Sequence, residues 1–225
     1  MACGGVELGH DRSVRGVDYE SDLNVVRSML EAAGVSSEDF GRFGSGYPGV
    51  ITPSRFDYAA AVPVLLSALP MVADPGVKEA VVRSLTHRGA KPAAAKLMIE
   101  EFKRAADPGV GWAIGNALDT VSDESVQDDL IELAKDQRYG KSRQMIVMRL
   151  GRFRRSDRLV EVLTELARDD DVALHGMSAL QRMIGADGVE PLISSLLNDP
   201  SPAVVKAAKI QLRKVRAAQQ RRRGR

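Results

Sequence analysis

Five leucines, Leu85, Leu118, Leu150, Leu180 and Leu212, lie 33, 32, 30 and 32 residues apart, and this near-constant period constrains the fold more than any other feature of the chain. Each leucine follows an anchor residue eight positions upstream: Val77, Val110, Ser142, Val172 and Val204. Midway, at +4, stand Val81, Ile114, Ile146, Gly176 and Ala208, all apolar or small. Positions 0, +4 and +8 share one face of an α-helix, so the spacing predicts five helices, each with a stripe to bury.

Helix-start signals sit just before the anchors. Asp74-Pro75-Gly76-Val77 and Asp107-Pro108-Gly109-Val110 are the clearest; Asp199-Pro200-Ser201-Pro202 and Asp169-Asp170-Asp171-Val172 are variants. The third unit has Tyr139-Gly140-Lys141-Ser142, where Ser142 matches weakly. Aspartate accepts hydrogen bonds from the free amides of a first helical turn, and proline suits that turn because it lacks an amide hydrogen. A second apolar segment precedes each signal: Val64-Leu65-Leu66, Leu97-Met98-Ile99, Leu130-Ile131-Leu133, Val162-Leu163-Leu166 and Leu192-Ile193-Leu196-Leu197. Each unit therefore reads as helix, short turn, helix. Neither helix buries its stripe alone, and stacking the units into a right-handed superhelix buries both. Strand signals are essentially absent from residue 58 onward. The expected fold is all-α, an α-solenoid of about five helical-hairpin repeats with an N-terminal helical cap.

The pattern Asp-Pro-x-Val, then a small or apolar residue at +4, then Ala-Leu at +7 and +8, resembles the bacterial HEAT repeats, including the class named after phycobilisome lyases. Ala117-Leu118 and Ala179-Leu180 fit it fully, and Arg149-Leu150-Gly151 keeps the Leu-Gly ending. The family often places Arg just after the valine; here Lys78 and Arg143 fill that place, whereas Val110-Gly111 and Val172-Ala173 depart from it. The resemblance covers roughly residues 58–216. It implies HEAT-like helical repeats but no single function, because that fold hosts scaffolds, lyase subunits, hydroxylases and glycosylases alike.

The ends read differently. Asp18 to Gly34 forms an amphipathic pattern through Leu23, Val26, Leu30 and Ala33, stopped by Gly34. Ser36 to Arg55 is rich in Gly, Ser and Pro yet holds Phe40, Phe43 and Tyr47; with Tyr19, Phe56 and Tyr58, six of the ten aromatics precede residue 60. Such a segment is either a cap over the open core of a terminal repeat or an aromatic binding loop. The organisation expected is a disordered N-terminus (1–17), a cap helix with aromatic loop (18–57), HEAT-like repeats (58–216) and a basic flexible tail (217–225).

Charge is divided unevenly. Residues 206–225 hold nine of the 32 basic residues and no acidic one, which leaves 23 basic against 30 acidic residues in 1–205. No apolar run approaches the roughly 18–20 residues that span a bilayer, and Met1 to Gly16 lack the apolar core of a secretory signal. The single cysteine, Cys3, excludes an internal disulfide and any multi-cysteine metal site. A cytoplasmic monomer without membrane contact is the default expectation.

No catalytic group stands out. His10, His87 and His175 are followed by Asp11, Arg88 and Gly176, so neither HExxH nor the His-Glu pairs of the HEAT-like iron hydroxylases occur, and neither metal nor cofactor is expected. Asp128-Asp129 and Glu100-Glu101 lie on predicted helices, where neighbours point about 100° apart. Asp169-Asp170-Asp171 is explained by helix capping and the macrodipole. P-loop, nucleophile-elbow and dinucleotide patterns are absent.

Positions +2 and +6 of the anchor helices point away from the buried stripe: Glu79 and Arg83, Trp112 and Asn116, Gln144 and Met148, Leu174 and Ser178, Lys206 and Ile210. In HEAT-like solenoids the second helices line the concave surface, so the resemblance implies that these residues form its floor. Trp112, Asn116, Gln144, Met148, Leu174 and Ser178 mix apolar anchors with adaptable polar groups, as protein-binding grooves do. The competing reading packs Trp112 between repeats, with Gly111 and Gly115 giving it room. The function expected is a non-catalytic scaffold or adaptor for a protein or peptide. The alternative is nucleic-acid binding through Lys206, Lys209, Arg213, Arg221, Arg222 and Arg223. A glycosylase version, with Trp112 and Asp119 seven residues apart on one face, lacks the further aromatics it would need. A chromophore-lyase role has only the family name behind it.

Overall fold

The computed structural model describes residues 16–37, 40 and 57–223. Among them every regular element is helical: ten α-helices joined by turns and short 3-10 segments, with no strand among the described residues. None of these helices is long and apolar enough to cross a membrane. Two compact units divide between Val81 and Val82, inside helix α3 (Pro75–Leu85).

The first unit holds α1 (Gly16–Ala32), α2 (Tyr58–Ala68) and the opening turns of α3. Leu23, Val26 and Leu30 are buried as their spacing predicts, and α1 packs on α2, which buries Ala61, Val62, Leu65 and Ala68. Ala33 is exposed instead of buried. The helix ends at Ala32, and the Val35 amide turns back to donate to the Leu30 carbonyl (2.9 Å), so Val35 takes the buried place. Asp22 on α1 accepts the amides of Ala73 (2.8 Å) and Asp74 (2.7 Å), and Asp74 caps α3 through Gly76 N (2.8 Å) and Val77 N (3.0 Å). These carboxylates satisfy backbone donors that a helix start leaves free. Phe40 is fully buried, and its carbonyl accepts from Arg27 Nε (3.1 Å). Phe43, Tyr47 and Phe56 lie outside the described residues, as do Cys3 and His10.

The second unit continues through α4 (Ala93–Arg104), α5 (Pro108–Val121), α6 (Gln127–Lys135), α7 (Gln144–Leu150), α8 (Asp157–Leu166), α9 (Ala173–Ser195) and α10 (Pro202–Arg223). Helix α9 is two helical arms meeting at Gly185, whose φ of 79° and ψ of 171° would strain any residue with a side chain. Its first arm carries the fourth anchor stripe, and its second supplies the helix that precedes α10. The pairs α4–α5, α6–α7 and α8–α9 pack together, and α5, α7, α9 and α10 pack on one another in sequence.

The periodicity holds at the level of single side chains. Every residue at 0, +4 and +8 is buried in all five anchor helices except Ser142, which is half-buried. Each buried Leu, Ile or Val contributes about 1.5–3 kcal/mol relative to exposure. The helices α4, α6 and α8 bury Met98 and Ile99, Leu130 and Ile131, and Leu159 and Leu163 against them.

Two helix starts depart from expectation. Asp107 caps α5 as predicted, through Val110 N (3.0 Å). Helix α10, however, begins at Pro202, so Ser201 occupies the cap and its Oγ accepts from Val204 N (3.4 Å). Asp199 lies too far upstream; it accepts Ser201 N (3.0 Å) and pairs with Arg168 (3.0 Å). Helix α9 has Val172 at its cap and no side-chain cap bond; Asp169 instead accepts the Asp171 amide (3.0 Å) in the turn that leads into the helix. The C-terminal run also differs from the expected tail. Helix α10 continues to Arg223, and Gln219 Nε2 donates to Asp187 Oδ1 (3.0 Å) and Glu190 Oε2 (2.8 Å). Arg216 and Arg222 lie 3.5 and 3.9 Å from Glu190 and Asp187. These acids sit about thirty residues upstream, and only the folded chain brings them to the basic run.

Candidate functional site: an exposed row on the anchor helices

Helix α5 lies between α4 and α7, and nine of its 14 residues are buried. The approach to α7 is close. A Cβ added to Gly115 would stand 2.5 Å from the Ser142 carbonyl oxygen, and one on Gly111 would stand 3.1 Å from Ser142 Oγ. The two glycines therefore admit the loop before α7, and they are not there to make room for an indole. Trp112 instead points outward and is 43% exposed, with the Arg83 guanidinium 6.0 Å from its ring centroid. That distance is within cation–π range.

The equivalent positions on the neighbouring helices continue the row: Asn116 on α5, Gln144 and Met148 on α7, Leu174 and Ser178 on α9, all half-buried. Their polar groups are partly committed. Asn116 Nδ2 donates to the Trp112 carbonyl (3.1 Å) and Gln144 Nε2 to the Asp171 carbonyl (3.0 Å). Ser178 Oγ donates to the Leu174 carbonyl (2.7 Å) and lies 3.0 Å from Gln211 Oε1 on α10. Gln144 and Ser178 thus tie neighbouring helices together, while Trp112, Met148 and Leu174 offer apolar surface.

Arg143 keeps the row in register. It is fully buried, and its guanidinium donates from Nε to the Gly140 carbonyl (2.9 Å) and from Nη1 to the Ala134 carbonyl (2.9 Å). It also grips Asp169 through both carboxylate oxygens (3.0 and 3.1 Å), a bidentate geometry that lysine does not reproduce. Asp170 accepts from Ser201 Oγ, at the start of α10. The aspartate run is therefore a brace between successive hairpins: Asp169 reaches back to Arg143 and Asp170 forward to Ser201. Sequence reasoning placed Arg143 at the family's arginine position but assigned it no partner.

Below Trp112 on α5, Asp119 is buried and pairs with Arg152 (3.0 Å). Arg149 Nη1 donates to the Asp119 carbonyl (3.4 Å) and its guanidinium covers the Phe153 ring at 4.8 Å. Asp119 Oδ1 and Arg149 Nε are buried without a protein partner. Burial pushes the Asp119 carboxyl above its usual range against the pull of Arg152, Arg149 and Arg182, and burial lowers Arg149. In the sequence this knot showed only as Arg149 before Leu150-Gly151 and Asp119 seven residues after Trp112, with nothing to join them. The other acidic pairs are also accounted for locally: Asp128 pairs with Arg158 (2.6 Å), Glu100 with Lys103 (3.1 Å) and Glu101 with Arg104 (3.3 Å). Among the described residues no three His, Cys, Asp or Glu side chains are grouped so as to hold a metal.

His175 on α9 is half-buried with Nδ1 lacking a partner; burial, then the charge of Lys214, hold its pKa below the ordinary 6.5. A histidine depressed in the folded state contributes stability that is complete above its unfolded pKa and is lost as pH falls through 6.5 toward the folded value. Urea unfolding at pH 7.5 and 5.5 is expected to show a smaller acid-side loss in His175→Gln than in the unaltered protein; equal losses would mean that His175 protonates freely in the fold.

The basic candidates Lys206, Lys209, Arg213, Arg221 and Arg222 are exposed along α10, while the side chain of Arg223 lies outside the described residues. No family model matches the chain, and searches of curated proteins and of solved structures return no similar chain.

Proposed function

We propose that the chain is a HEAT-type α-solenoid that works as a non-catalytic scaffold or adaptor, holding a protein or peptide partner against the row led by Trp112. The observation that carries this reading is the exposure of Trp112 on a helix whose other large apolar residues are buried. Leaving an indole in water forgoes burial worth several times RT, and partner contacts recover it. Tryptophan is also among the side chains most often found at energetic centres of interfaces. Met148 and Leu174, on the next two contacting helices, extend the apolar strip, and the Arg83 guanidinium adds a charged edge. The buried Arg143 supports the same reading, because its guanidinium is engaged with Asp169 in joining α7 to the turn before α9.

Trp112 is the only tryptophan, so its emission reports on this surface alone. Peptides selected on the intact protein from a displayed library, then titrated, are expected to shift that emission to shorter wavelength as the indole loses water. Selected peptides that saturate the protein without altering the emission would place the binding surface elsewhere.

A further inference from the structure

The second unit shows which face of each anchor helix receives the next hairpin. Counted from the anchor, positions +1 and +5 of α5 are Gly111 and Gly115, which admit the loop before α7. Position +9 of α7 is Gly151, where an added Cβ would meet the Ala179 backbone on α9 at 2.7 Å. Position +9 of α9 is Gln181, whose Oε1 accepts from Gln211 Nε2 on α10. Small, apolar or mutually bonded residues thus fill the face on which a further helix packs.

On α10 the same positions are Val205, Lys209 and Arg213. Lys209 and Arg213 are exposed and Val205 is half-buried. Two adjoining hollows run along this face and share both basic residues. One, of about 520 Å³, is lined by Leu197, Lys209, Leu212, Arg213 and Arg216. The other, of about 410 Å³, is lined by Pro202, Val205, Lys206, Lys209, Ile210 and Arg213. Together they form a groove with an apolar floor and a basic rim, in the register where a helix would pack. Residues 202–223 contain no acidic side chain. Asp199 pairs with Arg168, and Glu190 takes up Arg216, at one end of the groove, together with Gln219.

We propose that this groove docks an acidic amphipathic helix of a partner protein, on α10 and away from Trp112 itself, although Lys206 and Ile210 belong to the same +2/+6 series. Its apolar stripe would rest on Leu197, Val205 and Ile210, extended by the aliphatic stems of the basic side chains. Its carboxylates would meet Lys206, Lys209 and Arg213. The apolar floor decides between ligands: phosphodiester backbones gain from the rim alone, whereas an amphipathic helix gains from both.

The test uses the full chain and three labelled probes followed by anisotropy at about 0.15 M salt. The probes are a synthetic helical peptide with leucines at i, i+3, i+4 and i+7 among glutamates, the same peptide with lysines for glutamates, and a short DNA duplex. The acidic peptide is expected to bind and the lysine peptide not to. Leu197→Ser and the double variant K209E/R213E should each weaken the acidic peptide by at least about tenfold, whereas Trp112→Ala should leave its affinity unchanged. Circular dichroism checks that each variant is folded, and K209Q/R213Q serves where charge reversal perturbs the helix. Absence of acidic-peptide binding, binding indifferent to Lys209 and Arg213, or a duplex that binds more tightly and ignores Leu197→Ser would each overturn the proposal.

Discussion

Arg143→Ala is expected to destabilise the protein by about 3–5 kcal/mol, because it leaves the Asp169 carboxylate with the Asp171 amide (3.0 Å) but without its balancing charge. Asp169 is only 12% exposed and Arg143 is not exposed at all, so solvent cannot replace the bond. The carbonyls of Ala134 and Gly140 lose donors in the same step. At this chain length a loss of that size lowers the melting temperature by about ten degrees. Arg143→Lys should recover only part of the stability, since an ammonium group meets one carboxylate oxygen and not both in the fork geometry. Removing Asp169 in the Arg143→Ala background should then cost little more, because the two side chains act as one unit. Denaturant unfolding of the four proteins measures this coupling; additive losses would mean that Arg143 and Asp169 do not brace the hairpins together.

Gly115→Ala sets two effects of opposite sign against each other. Alanine is the better helix former by about 1 kcal/mol, so propensity alone favours the change. The new methyl would, however, stand 2.5 Å from the Ser142 carbonyl oxygen, a backbone atom that cannot swing aside. Separating α5 from the loop before α7 costs about 1–3 kcal/mol, so the contact outweighs the propensity and the variant is expected to be less stable. Gly188→Ala is the control. Its methyl would meet only the Ile184 side chain, at 3.4 Å or more, so propensity decides and stability should rise or hold. Unfolding midpoints that rise for both variants would show that α5 does not approach Ser142 so closely.

The stripes were legible because helix burial is periodic: a residue at 0, +4 or +8 faces inward whatever its neighbours do. Leu85, Leu118, Leu150, Leu180 and Leu212 are accordingly all buried. The outward direction of Trp112 followed from the same geometry, but its degree of exposure did not. Exposure depends on which segments pack beside α5, a tertiary matter that no local pattern encodes. The Asp169–Asp171 run was misread for a related reason. Aspartates before a helix usually cap it, yet here Asp169 accepts only the Asp171 amide in the preceding turn and also binds Arg143, 26 positions upstream. The C-terminal run looked like a tail because its basic residues lack acidic neighbours in sequence, while Asp187 and Glu190 meet it across the α9–α10 packing.

The measurement that tests the scaffold reading most directly is partner affinity for the intact protein, Trp112→Ala and K209Q/R213Q. Partners recovered from nuclease-treated lysate of the source cell would be identified, purified and titrated against all three. The expected result is a protein that binds the intact chain and loses at least about tenfold in affinity with Trp112→Ala, the variant itself remaining folded. A folded Trp112→Ala protein that binds every recovered partner as tightly as the unaltered chain would contradict the assignment of the binding face to the row on α5, α7 and α9.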